Sequence, residues 1–192
     1  MAATPSQMLP LGTPLPIFAL PDVVTGRTIT SLDLSGKPAV IAFICNHCPY
    51  VKHIRAQLAA FGQESLQRGI SMVAISSNDV EAYPQDGPVP MAEEARRNAY
   101  AFPYLFDSDQ SVARAFHAAC TPDFFLFDAG GTLVYRGQFD ESRPSNGKPV
   151  TGDDLRAACD ATLAGRTPLA NQRPSIGCNI KWRAGNQPDA LG

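Results

Sequence analysis

Apolar positions along the chain fall into a strand pattern, a helical pattern and a strand pattern again. Ala39-Val40-Ile41-Ala42-Phe43-Ile44 is a continuous apolar run, which suits a strand covered on both faces. Val51, Ile54, Leu58 and Phe61 then recur at helical spacing, with Lys52, Arg55 and Glu64 on the other side. Pro49 suits the first turn of this helix, where its missing N–H costs nothing. Gly69 closes the helix, and Ile70 to Ile75 predicts a second buried strand. The three pieces make a parallel β-α-β unit, and Cys45-Asn46-His47-Cys48 occupies its first strand-to-helix turn.

Weaker signals surround this unit. Pro16 to Pro21 reads as an extended entry, and Gly26 to Thr30 as an edge strand. Asp79 to Pro90 is a polar, proline-bearing insertion ahead of a helix expected from about Met91 to Tyr100. Tyr104-Leu105-Phe106 predicts a short strand, and Asp109 caps a helix expected to reach about Ala119. Phe124 to Phe127 and Thr132 to Tyr135 flank Asp128-Ala129-Gly130-Gly131, a hairpin signal. Thr151 caps a last helix with Leu155, Cys159 and Leu163 on one face, and a proline- and glycine-bearing tail follows. The expected class is α/β, with a mixed central β-sheet flanked by helices. Residues 1–10 read as an N-terminal arm, 11–165 as the domain and 166–192 as a tail packed on it.

At 192 residues the chain fits one domain. That length buries on the order of 70% of the unfolded surface, so folding needs neither disulfide nor metal. A hydrophobic content of 44% with 18% charged residues excludes general disorder. A formal charge of −2 removes the electrostatic footprint of a nucleic-acid binder, and no apolar run approaches the ~18 residues of a membrane span. Met1 to Leu20 lacks a basic start and is interrupted by Pro10, Pro14 and Pro16, so it does not read as a secretory signal. The expected compartment is the cytoplasm, where five cysteines point to catalysis or metal binding rather than to structural staples.

Cys-x-x-Cys opening a helix after a buried strand is a thioredoxin signature, and Thr121-Pro122 before the Phe124 strand adds to it. On Phe43 to Lys52, Cys120 to Phe125 and Ser175 to Trp182, the chain resembles thioredoxin-fold redoxins. Within these it is most similar to the peroxiredoxin-like, TlpA-like thiol-disulfide isomerases related to the AhpC/TSA proteins. The resemblance runs from about Leu11 to Arg183. It implies a thioredoxin-like fold, a cis Pro122 facing the cysteine pair, and a Thr121 backbone presented to a bound substrate.

The chemistry follows from thiolate formation. A helix N-terminus favours a thiolate, and a protonated His47 would add positive charge. Cys45, expected to be exposed at the strand end, would attack a substrate disulfide; Cys48, one turn on, would resolve the mixed disulfide. The inner residues Asn46 and His47 would tune the thiol pKa, and Thr121 with Pro122 would dock the substrate. No cofactor is called for. The partners expected are a protein or small-molecule disulfide and a thiol electron donor, with no nucleic acid and no membrane.

Departures from the resemblance leave alternatives open. Thioredoxins carry Trp before the pair and Gly-Pro within it, where this chain has Ile44, Asn46 and His47. A histidine in the second inner position resembles the oxidising members of the fold. Peroxiredoxins place Pro-x-x-x-Thr ahead of the peroxidatic cysteine; counted from Cys45, Pro38 fits but Ala42 replaces the threonine. Cys48-Pro49 nevertheless resembles the peroxiredoxin Cys-Pro step, so a thiol peroxidase is the second reading, with the attacking cysteine open. Cys120 and Cys178 are possible auxiliary thiols, and Cys159 reads as core. A third reading is a zinc-binding or interaction protein, with Cys45, Cys48, His117 and Cys120 as the ligand set. Arg136 and Arg143 are candidates for the active-site side of the hairpin.

Overall fold

The computed structural model describes residues 3–168 and 170–188; positions 1, 2, 169 and 189–192 of the expected arm and tail lie outside the described residues. In chain order the strands and helices begin with β1 (Ala3–Pro5), β2 (Ala19–Pro21), β3 (Thr28–Thr30) and β4 (Ala39–Phe43). They continue with α1 (Pro49–Gln67), β5 (Ser71–Ser76), α2 (Pro88–Arg97), β6 (Tyr104–Phe106) and α3 (Ser111–Ala115). β7 (Cys120–Thr121), β8 (Asp123–Phe127), β9 (Leu133–Gly137), α4 (Asp153–Leu163) and β10 (Ile176–Asn179) complete the order.

Five strands form the central sheet in the order β6-β5-β4-β8-β9. β4, β5 and β6 run parallel, and β8 and β9 are antiparallel to their neighbours, so the sheet is mixed. Strand alternation explains why the β4 run is apolar throughout. Val40, Ala42 and Ile44 face α1, α2 and α4, while Ala39, Ile41 and Phe43 face α3 and the N-terminal segment. On the α1 side Leu58 and Leu155 are fully buried; on the other, Phe116 packs edge-on against Phe43, Phe125 and Phe127.

A second sheet stitches three distant stretches of chain in the order β1-β10-β7. Ala3 pairs with Cys178, and Cys178 pairs on its other side with Thr121.

Several boundaries differ from those read in the sequence. α2 begins at Pro88 rather than Met91, since prolines suit a first turn, and it ends at Arg97 before Ala99 at φ 51°. α3 spans Ser111–Ala115 only. Gln110 and His117, both at positive φ, bound it; Asp109 Oδ1 accepts its first N–H, from Ser111, and Asp107 accepts those of Val112 and Ala113. The chain then leaves the helix to supply β7. In α4, Leu155 and Cys159 are buried as expected, but Leu163 is 40% exposed in the last turn.

Candidate active site

The end of β4 delivers Cys45, and Cys48 is the N-cap of α1 with Pro49 in the first turn. The sequence places both thiols here for a simple reason: an apolar strand must stop, and proline starts a helix. All five cysteines are free thiols. Cys45 was expected to be exposed; it is 1% exposed, and Cys48 is fully buried.

The cover over Cys45 comes from the polar, proline-bearing 79–90 insertion, and its centre is Asp86. Asp86 is fully buried. Its Oδ1 accepts the backbone N–H of Asn46 at 2.9 Å and of His47 at 3.2 Å. Its Oδ2 accepts from Asn78 Nδ2 at 2.8 Å and lies 2.5 Å from His47 Nδ1. A carboxylate that accepts three other N–H groups accepts at Nδ1 as well, so that nitrogen carries the proton. Tyr83 stacks on the His47 ring at 5.3 Å, and the Lys181 ammonium lies 5.8 Å above Tyr83. Asn46 is fixed by Gln85 O and by the Tyr104 hydroxyl. Both inner residues of the motif are therefore held by the insertion and the sheet.

Thr121 touches both sulfurs. Its Oγ1 lies 3.5 Å from Cys45 Sγ, and its carbonyl oxygen is 3.1 Å from Cys48 Sγ. Thr121-Pro122 is a cis peptide. The Thr121 edge is not open, however, because β10 pairs along it.

The two thiols hydrogen-bond to each other and titrate as a pair. The hydrogen bond with Cys48, burial and the Asp86 charge push Cys45 well up. The hydrogen bond from Cys45 draws Cys48 down to about 5 against burial, helped by Thr121, Cys178 and the Val51 N–H in the first turn of α1. With Cys45 pushed up and Cys48 drawn down, the first proton to leave is lost by the pair, and each location of the proton that remains has a partner. On Cys45 it is donated to Cys48. On Cys48 it is donated to the Thr121 carbonyl, and the Thr121 hydroxyl then serves Cys45.

Cys120 Sγ lies 3.7 Å from Pro122 O, and burial pushes its thiol up. Cys178 lies in the same buried cluster as Cys45 and Cys48, and burial together with its neighbour Cys48 pushes its thiol up to about 12. Cys159 is fully buried in the core and far up for the same reason, at about 12. Arg136 bonds Leu9 O and Gln172, and Arg143 bonds Gln138, Asp140 and Ser142, so both brace loops.

Among the described residues the metal set of Cys45, Cys48, His117 and Cys120 is not assembled. The one gathered group is Cys45, His47 and Asp86, with ligand atoms within 4.8 Å of one another. The Asp86 oxygens already accept four N–H groups, so hydrogen bonding accounts for that cluster.

Solved structures share this arrangement of elements. An uncharacterised conserved protein from Geobacillus kaustophilus is 50% identical over 96% of this chain and 98% of its own, with a TM-score of 0.94. A hypothetical protein from Sinorhizobium meliloti is 49% identical over 95% of this chain and 100% of its own, at 0.92. A thioredoxin-family thiol:disulfide interchange protein from Chlorobium tepidum covers 81% of this chain and 99% of its own at 19% identity and 0.62, which shows a common thioredoxin-like fold. A search of curated proteins gives no match. Residues 11–136, which carry β4, α1 and both halves of the thiol site, match the AhpC/TSA family, and the chain belongs to it.

Proposed function

We propose that the protein is a thiol-disulfide oxidoreductase whose redox pair is Cys45 and Cys48. The observation that carries this is the cysteine pair at the α1 N-terminus, with the hydroxyl and the carbonyl of Thr121 placed at the two sulfurs. Cys45 attacks a substrate disulfide while its proton passes to Cys48, and the Thr121 carbonyl receives that proton in a hydrogen bond. One substrate sulfur leaves as a thiolate, and Cys45 is joined to the other. Cys48 then attacks Cys45 Sγ, releasing the second substrate thiol and leaving a Cys45–Cys48 disulfide. A thiol donor returns the two electrons. The substrate class is a protein or small-molecule disulfide.

The test is the equilibrium of the pair against a glutathione redox series, with Cys120, Cys159 and Cys178 each replaced by Ser in parallel. One two-electron transition retained in all three variants supports the reading. A pair that never closes a disulfide overturns it.

One observation favours a second reading. Cys48, at a helix N-cap before Pro49 and drawn down to about 5, has the charge state of a peroxide-reactive thiolate. Peroxide consumption with sulfenic acid trapped on Cys48 would establish a thiol peroxidase instead.

A further inference from the structure

β7 is two residues long, and its outer edge is the kind of surface to which an extended peptide adds. Here the chain's own tail has added to it. β10 lies antiparallel on β7 with Cys178 opposite Thr121, the residue whose carbonyl oxygen sits 3.1 Å from Cys48 Sγ. The seat is close. A Cβ on Gly177 would stand 2.0 Å from the Thr121 carbonyl oxygen, so only glycine lets the strand approach this far. Farther along, Lys181 N–H donates to Asn78 Oδ1 and Asp79 N–H to Lys181 O, tying the tail to the same insertion that covers Cys45. The result brings a third sulfur, 2% exposed, into the same buried cluster as Cys48.

Resting on the redox reading above, we infer that Cys178 is a third exchangeable thiol, held by the tail strand against Cys48 and able to take over its disulfide. In the oxidised protein the Cys178 sulfur attacks Cys48 Sγ. The Cys45–Cys48 bond breaks and a Cys48–Cys178 bond forms. Cys45 leaves with the electron pair and takes the proton that Cys178 gives up. One disulfide and one thiol stand on each side of the step, so no oxidant or reductant enters it. In the reduced protein Cys178 is kept as a thiol, since burial and its neighbour Cys48 push it up to about 12. Once Cys48 is in a disulfide, its charge is gone. The rearrangement returns Cys45 to its thiol form while the protein still holds one oxidising equivalent, leaving it ready to open another disulfide.

The sequence provides a clean readout. Trypsin leaves Cys45 and Cys48 in one peptide ending at Lys52, and Cys178 in another ending at Lys181. A Cys45–Cys48 disulfide stays within one peptide; Cys48–Cys178 joins two. Wild type, Cys45→Ser and Cys45→Ser/Cys178→Ala are oxidised with limiting diamide and mapped by mass spectrometry. The expected result is a reversible internal disulfide in wild type with a minor Lys52–Lys181 cross-linked species, and that cross-link as the main product in Cys45→Ser. A glutathione adduct on Cys48 should also be resolved at least tenfold faster in Cys45→Ser than in the double variant. If wild type closes Cys45–Cys48 but neither wild type nor Cys45→Ser gives the cross-link, the inference falls and the redox reading stands. If wild type closes no Cys45–Cys48 disulfide, both fall. Because wild type itself is mapped, a variant that fails to fold does not protect the inference.

Discussion

Asp86 Oδ2 lies 2.5 Å from His47 Nδ1, with the aspartate fully buried and the histidine side chain 14% exposed. The same nitrogen is 3.9 Å from Cys45 Sγ, so the Asp86 carboxylate governs what His47 offers to the thiol. Asp86 acts as a positioning residue in the proposed reaction. It holds two backbone N–H groups of the motif and one ring nitrogen, and its charge opposes a second negative charge on Cys45.

Replacing it separates these effects. Asp86→Asn removes the charge and sets an NH2 group against donors, at a cost of about 1–3 kcal/mol. Denaturant unfolding should register that loss. The upper thiol titration, followed at 240 nm, should move down because the repulsion on Cys45 is gone. A purely structural role for Asp86 would leave that titration where it is.

The lower titration is a second expectation. Cys48 is the group depressed in the folded protein, so a thiolate absorbs at 240 nm above about pH 5 and is lost as the pH falls through that value. Cys48→Ser should abolish the step. Cys45→Ala removes the hydrogen bond that contributes most, so the step should shift upward towards the ordinary thiol value of 9.0. An unchanged midpoint in Cys45→Ala would contradict the coupling of the two thiols.

Thr121→Val keeps the carbonyl and the shape but deletes the hydroxyl at 3.5 Å from Cys45 Sγ. A hydrogen bond to a charged group contributes about 1.5–3 kcal/mol. Exchange with a small aromatic disulfide at pH 7 should therefore slow by roughly tenfold or more, where 1.4 kcal/mol is one decade. Equal rates in stopped flow would remove Thr121 Oγ1 from the mechanism.

Gly177→Ala tests the seat of the tail. A methyl group 2.0 Å from a backbone oxygen cannot be absorbed by a side-chain rotation, so β10 must shift from β7. Amide exchange over Ile176–Asn179 should rise, and Cys45 and Cys48 should alkylate faster than in wild type. The same alkylation rate with intact amide protection would show that the strand tolerates the group.

Elements whose character is local were legible in the sequence; those made by distant chain were not. β4, α1 and the hairpin carry their own signals in an apolar run, a helical spacing and Asp128-Ala-Gly-Gly, whose aspartate accepts from Gly130 and Thr132. Cys45 and Cys48 were legible for the same reason. Asp86 was not, because an aspartate in Pro-Gln-Asp-Gly reads as a turn residue until Asn46, His47 and Asn78 are brought to it. The burial of Cys45 was missed with it. α3 was overdrawn because the residues after Ala115 have helical propensity, yet Ile180 N–H claims Ala119 O and the chain goes to β7. Cys178 could be marked as an auxiliary thiol, but its neighbour is set by a register against Thr121 that no local pattern encodes.

The three-stranded sheet of β1, β7 and β10 has a consequence during synthesis. The strand, turn and helix that carry the thiol pair are made well before β10 (Ile176–Asn179). Contacts of such sequence separation form last, because loop closure must precede them. A nascent chain therefore passes through a stage in which the redox unit exists without its tail strand. At that stage its sulfurs are open to any oxidant or foreign thiol in reach, and the folded protein's reticence towards solvent is acquired only once β10 has been made.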